Sequence, residues 1–134
     1  MTTPRPFAYG EPVGPLGLIP REAPPGSPPG IAVWEYEVDP AHFNPNGALH
    51  GGVLMTLLDT AMGVAVAQLA IPQGRFNAAA QMNVHFLLPI TEGTIRATAQ
   101  VRKIGKRLAV VDAECTDNQG RLVGMATATH TLLP

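Results

Sequence analysis

His50-Gly51-Gly52-Val53-Leu54-Met55-Thr56-Leu57-Leu58-Asp59-Thr60-Ala61-Met62-Gly63-Val64-Ala65-Val66-Ala67-Gln68-Leu69-Ala70 is the stretch on which the fold turns. It has the length of a long helix, opens on two glycines and carries one carboxylate, Asp59. A helix apolar on every side belongs in a protein core or a membrane, and an ionised carboxylate there is costly without a partner. One helical turn from Asp59 stand Met55, Thr56, Met62 and Gly63, so no Lys or Arg pairs with it along the helix. The charge is therefore expected to be there for use.

A membrane span is disfavoured because Thr56, Asp59, Thr60 and Gln68 interrupt the run and no Lys or Arg cluster flanks it. The Asp alone would cost about 2.5–3.5 kcal/mol at a bilayer centre. The 134 residues suit one domain with one core. A net charge of −1 and nine Lys and Arg without a long basic run argue against a nucleic-acid partner. Cys115, the single cysteine, has no internal disulfide partner, so the chain reads as cytoplasmic and Cys115 as a small buried strand residue. No targeting signal is visible in the first residues.

Upstream, residues 1–30 hold nine of the fourteen prolines and five glycines. Proline removes a ladder donor and stops helices, so this segment is expected to be an extended or disordered arm, with docking on a neighbouring subunit as the alternative. The domain proper is expected over 31–134. Residues 31–39, β-branched and aromatic, read as its first strand, and 40–49 as a loop of turn formers. Two uses fit Gly51 and Gly52. They let a ligand approach backbone N–H groups at the positive end of the helix, or they let the helix start pass a strand.

Downstream of a turn at Pro72-Gln73-Gly74, residues 77–88 alternate. Ala78, Ala80, Met82, Val84, Phe86 and Leu88 are expected on one face, and Asn77, Ala79, Gln81, Asn83 and His85 on the other. Residues 94–104 alternate again, with Ile95, Ala97, Ala99 and Val101 on one side. Residues 107–116 and 121–132 follow, joined by the hairpin turn Asp117-Asn118-Gln119-Gly120. In the last strand Leu122, Gly124, Ala126 and Ala128 share a face, small enough for a helix to lie close. The fold class is α+β: strand, long helix, then four strands as a meander, one antiparallel sheet wrapped around one helix.

Several chemistries drop out. Ser27, in the arm, is the only serine, so a serine triad is excluded. His42, His50, His85 and His130 have no ligand spacing with Cys or carboxylates, so no metal is expected, and no cofactor motif follows a strand. What remains is Asn44, His50, the Gly51-Gly52 helix start, Asp59 and the basic turn Arg102-Lys103-Ile104-Gly105-Lys106-Arg107. This set suits acyl chemistry. A carboxylate acts as base on water or attacks a carbonyl, and helix-start N–H groups polarise that carbonyl. His50 equally serves as a brace for its loop, and the hairpin cations equally as solvated charges.

The run Asn44-Pro45-Asn46-Gly47-Ala48-Leu49-His50-Gly51-Gly52, Asp59 nine residues after the histidine, Met82-Asn83-Val84 with Phe86 and Pro89, and Gly105-Lys106 resemble the PaaI-type hot-dog fold acyl-CoA thioesterases over about residues 31–133. The resemblance implies hydrolysis of acyl-CoA by homodimers that commonly pair into tetramers. It implies Asp59 as the carboxylate that activates water or attacks, and Gly51 as the N–H that polarises the thioester. It further implies that Asn44 holds water or substrate and that His50 positions the loop. Gly52, Ala79, Asn83, Lys103, Gly105, Lys106 and Arg107 would line the substrate and CoA site. Ala79 departs from the Ser or Thr common in relatives.

Two rivals stand beside it. The pattern His42-Phe43 with Gly52-Val53-Leu54 is similar to hot-dog dehydratases of hydroxyacyl thioesters, but their helix acid falls at Leu57, which cannot protonate a leaving hydroxyl. A non-catalytic acyl-CoA sensor keeps the pocket and hairpin without needing Asp59. Finally, Gly51 and Asp59 are eight residues apart, about 12 Å along one helix. One carbonyl cannot touch both, so a site that uses both takes them from two chains across a two-fold axis.

Overall fold

A computed structural model of the chain describes residues 7–134. Strand β1 (Ile19–Arg21) precedes β2 (Ile31–Glu37), helix α1 (Gly51–Ala70), β3 (Phe76–Phe86), β4 (Thr94–Ile104), β5 (Leu108–Thr116) and β6 (Leu122–Leu133). They form one antiparallel sheet in the order β1-β2-β4-β5-β6-β3, and α1 packs against β2 and all four later strands. The sheet wraps the helix as expected, with β1 as an addition, but the expected four-strand meander is corrected. Only β4-β5-β6 run as one, and β3 lies beside β6 at the far edge, because residues 87–93 make a link long enough to carry the chain across to β2 instead of a tight hairpin.

That added strand corrects the reading of the arm as an unpaired leader. Arg21, Pro20 and Ile19 pair with Val33, Trp34 and Glu35. Pro20 is compatible with a ladder here because β1 is an edge strand. Leu18 and Ile19 are buried, and the Phe7 ring meets Trp34 edge to face at 5.0 Å. Arg21 Nε donates to Glu35 Oε1 at 2.7 Å, and Arg96 of β4 holds the other oxygen.

Helix α1 buries Val53, Leu54, Leu57, Leu58, Ala61, Met62, Ala65, Val66 and Ala70 against the sheet. By length and composition it would also pass for a membrane span, but its apolar residues form the centre of the core. Gln68, one of the polar interruptions, ties the helix to the start of β2. It accepts from Gly30 N at 2.8 Å and donates to Ile31 O at 3.0 Å. Opposite the sheet the helix is not covered, which corrects the expectation of burial all round. Gly52, Met55, Thr56 and Asp59 are exposed and Gly63 is half-buried, a single stripe at helical spacing.

The small residues of β6 act as expected. Gly124 is buried, and a Cβ there would come within 2.7 Å of Leu54 Cδ2. The faces of β4 also agree, with Ile95, Ala97 and Ala99 buried. Those of β3 do not. The register steps from Ala79↔His130 to Gln81↔Thr129, so Ala80 is a bulge and the side-chain alternation changes phase there. Asn77 and Ala79 face the helix before the bulge, and Met82, Val84 and Phe86 after it.

Candidate active site

The loop before α1 is shaped by Asn44. Its Oδ1 accepts from Asn46 N at 2.9 Å and Ala48 N at 3.3 Å, and its own N–H donates to Ala48 O. With the side-chain oxygen so engaged, the Nδ2 amide has no partner among the described residues and is the end left for a ligand. The loop is braced from below. Tyr36 Oη lies 2.6 Å from His42 Nδ1, and the His42 carbonyl accepts from His50 N at 2.9 Å. Burial raises the Tyr36 pKa above its usual value, so this phenol stays a neutral hydrogen-bonding post.

His50 is the N-cap of α1, with Nδ1 accepting from Gly52 N at 3.3 Å. Of its two expected uses, bracing the helix start is the one its hydrogen bond serves. The Gly52 N–H is thereby taken. The Gly51 N–H has no acceptor among the described residues and stands at the positive end of a 20-residue helix. Gly51 also sits under the Phe86 ring, where a Cβ would lie 3.1 Å from Cε1, so the steric use foreseen for glycine applies.

Asn44 and Gly51 line one cleft of about 510 Å³ with Leu49, Leu54, Phe86 and Leu88. Two N–H donors thus share an apolar-walled space, an arrangement that can polarise a carbonyl oxygen. Asp59 is exposed and does not line this cleft. Nor does the basic hairpin. Gly105 N closes it onto Leu108 O, and Arg75 donates to the Lys106 carbonyl and to Gln73 Oε1, fixing it over the C-terminal end of α1. Twenty residues of helix put that end about 30 Å from Gly51. Lys103, Lys106 and Arg107 are exposed, while Arg102 is paired with Asp112 at 2.7 Å.

Ala79 is exposed at the sheet edge, directly across from His130. Asn83 pairs with Thr127, exposed on the face of the sheet turned away from the helix and its N-terminus. Sequence reasoning missed Arg75, which clamps the hairpin, and the pair Asn77 and His130, which meet under the Asp59 turn. Only a contact between residues 53 apart reveals that pair.

The thioesterase superfamily model matches residues 46–124, which carry the Gly51 helix start and Asp59. The chain belongs to that superfamily. It is 33% identical over 106 residues to acyl-coenzyme A thioesterase 13 of Homo sapiens, covering 78% of this chain and 74% of that one. It is 36% identical over 97 residues to acyl-coenzyme A thioesterase PaaI of Escherichia coli, covering 72% and 66%. The solved structure of the E. coli PaaI protein superposes with a TM-score of 0.79 at 31% identity, over 89% of this chain and 81% of that one. Within the superfamily the chain is therefore a thioester hydrolase of the PaaI type with the hot-dog fold.

Proposed function

We propose that the chain hydrolyses acyl-CoA thioesters at a site shared between two copies. The observation that carries this reading is the division of groups in one chain. Asn44 and Gly51, each with a free N–H, line one cleft, while Asp59 and the basic hairpin lie outside it. Strand β3 supports the pairing. It is an 11-residue edge strand with no Lys, Arg, Asp, Glu or Pro, and Phe76, Phe86, Leu87 and Leu88 at or beyond its ends are exposed. Such an edge is a template for another strand. Antiparallel pairing of β3 with its copy sets the two exposed helix stripes side by side, head to tail, with Asp59 of each facing the other's cleft. The dimers pair further into tetramers, and the enzyme works in the cytoplasm, where a free, buried Cys115 is at home.

In this arrangement Asn44 Nδ2–H and Gly51 N–H hold the thioester oxygen. Asp59 of the second copy takes a proton from water as its oxygen attacks the carbonyl carbon. The tetrahedral adduct then expels CoA as thiolate, breaking the C–S bond and releasing the acid, and the proton held by Asp59 passes to the thiolate, which restores the carboxylate. The same carboxylate can attack directly, breaking the C–S bond to expel CoA thiolate and forming an anhydride that water then opens to the acid and the free carboxylate. Transfer of ¹⁸O from labelled water into Asp59 during a single turnover distinguishes this route. Lys103, Lys106 and Arg107 receive the CoA phosphates, His50 keeps the helix start in shape, and Gly52 and Ala79 border the site. Residues 31–134 are the catalytic unit and 7–30 an arm laid along its β2 edge; the first six residues of the expected arm lie outside the described residues.

The test is subunit mixing. Gly51→Pro deletes the N–H at a helix position that tolerates proline, since His50 already has extended φ and ψ of −61° and 132°, and Gly51→Ala, which adds the same Cβ 3.1 Å from Phe86 Cε1 but keeps the N–H, controls for the crowding. Asp59→Ala deletes the carboxylate. Gly51→Pro and Asp59→Ala alone are each expected to be inactive on a panel of acyl-CoAs. Equal mixtures should recover about a quarter of wild-type activity, because half the dimers are mixed and each has one intact site. No recovery, or full activity of Asp59→Ala, would refute the shared site.

A further inference from the structure

His130 in β6 is 2% exposed, and its Nε2 is the one buried side-chain nitrogen or oxygen without a hydrogen-bond partner among the described residues. Its other ring nitrogen, Nδ1, lies 3.1 Å from Asn77 Nδ2, and Asn77 Nδ2 also donates to Gly63 O at 3.1 Å. A carbonyl oxygen only accepts, so the Asn77 group that faces it is the NH₂, whose two hydrogens serve Gly63 O and His130 Nδ1. Nδ1 is then an acceptor, and the neutral ring carries its proton on Nε2. A buried N–H with nothing to donate to is rare in folded proteins.

Among ionisable side chains the surroundings leave one candidate acceptor. Gly63 follows Asp59 by one helical turn, so both lie on the same face of α1, above the Asn77–His130 pair. Asp59 is the only ionisable side chain in α1. In β3, His85 lies beyond the bulge on the outer face. In β5, Glu114 is exposed and Asp112 is paired with Arg102. Cys115 is buried opposite Gly124, six residues from His130 along β6, and burial pushes its thiol up to about 12, so it is uncharged. Arg107, whose carbonyl accepts from Leu132 N, is exposed at the hairpin.

We propose that His130, fixed in its Nε2–H tautomer by Asn77, is a positioning residue that donates a hydrogen bond to the Asp59 carboxylate in the working enzyme. This rests on the reading of Asp59 as the catalytic carboxylate. One carboxylate oxygen is then engaged and the other is left for water. Ala79, the cross-strand neighbour of His130, presents only a methyl group and offers no acceptor to compete for Nε2–H. Burial holds the His130 pKa below its ordinary value, with the Asp59 charge pulling the other way, so the ring donates as a neutral group near pH 7.

Nitrogen-15 NMR of histidine-labelled protein tests this without turnover, and so independently of the proposed activity. His130 is expected as the Nε2–H tautomer, titrating below the ordinary histidine range, with Asp59→Asn lowering its pKa further. An Nδ1–H tautomer, or a titration that ignores Asp59→Asn, would overturn the proposal. The kinetic arm compares His130→Leu with His130→Gln, which retains a side-chain donor. In the Leu variant the acid limb of kcat/KM should move to higher pH. Its kcat should fall roughly ten- to a hundredfold, the rate equivalent of one hydrogen bond to a charged group, with little change in KM and partial rescue by Gln. A Leu variant that only loses stability, with its acid limb in place, makes His130 merely structural and refutes the inference.

Discussion

Asn44→Asp separates the loop-building half of Asn44 from the half assigned to the thioester. The substitution keeps an oxygen to accept from Asn46 N and Ala48 N, at 2.9 and 3.3 Å, and replaces the free NH₂ by a second, negatively charged oxygen. Folding should scarcely change, because acceptance by a carboxylate is at least as strong as acceptance by an amide. Asn44→Ala instead loses both bonds, one of them long, at a cost of about 1.5 kcal/mol, which lowers Tm by roughly 3–6 °C in a domain of this size. Activity should order differently. Losing one donor to a developing oxyanion costs roughly 2.7–4 kcal/mol, a hundred- to a thousandfold in kcat. The Asp variant adds repulsion of the same oxygen and should be the slower of the two despite being the more stable. The assay is release of free thiol from acyl-CoA, read beside thermal melts of both variants. An Asp variant within tenfold of wild type would refute the assignment of Nδ2 to the carbonyl.

Three further outcomes follow from packing, capping and charge. Gly124→Ala places a methyl 2.7 Å from Leu54 Cδ2 and 3.3 Å from His85 O. Leu54 is 3% exposed and cannot swing away, so a loss of about 1–3 kcal/mol is expected as a lower urea midpoint at unchanged slope. His50→Ala removes the acceptor of the Gly52 N–H and should cost about 0.5–1 kcal/mol by the same measurement, with His50→Asn restoring most of it. Burial tends to raise the Glu35 pKa, but hydrogen bonds and charges of Arg21 and Arg96 outweigh it and hold the carboxyl below its ordinary 4.5. The stability this group contributes is whole above 4.5 and is lost as pH falls through the lower folded value. Glu35→Gln should therefore be less stable at neutral pH, and its midpoint should fall less steeply than wild type between pH 5 and pH 3.

The helix start, the hairpins β4-β5-β6 and the faces of β4 and β6 were legible because each rests on a local signal, whereas the place of β3 beside β6 rests on a long-range pairing that no turn announces. Two glycines after a turn-rich loop open α1, strict alternation gives the strands their faces, and small residues mark where helix and sheet meet. The β3 bulge left no such trace. Ala78, Ala79 and Ala80 are alike, so a one-residue phase change among them alters no pattern, yet it moves Asn77 and Ala79 to the helix side. The arm was misread for a related reason. Proline density excludes a central strand, but three residues at an edge need few ladder donors, and Pro20 fits there. Met55 and Gly63, neither polar, disguised the uncovered stripe of α1 on which Asp59 lies.

By itself the sequence determined which groups exist to do chemistry and how far apart the chain holds them. Local backbone preferences set the helix, and its fixed rise keeps Gly51 and Asp59 apart whatever the remainder of the molecule does. Only the tertiary structure decided which atoms of those groups are free. Asn44 Oδ1 is spent on its own loop and Gly52 N–H on His50, while Asn44 Nδ2, Gly51 N–H and His130 Nε2–H are left without partners among the described residues. Hydrogen-bond saturation depends on neighbours brought together by folding, and no pattern along the chain encodes it.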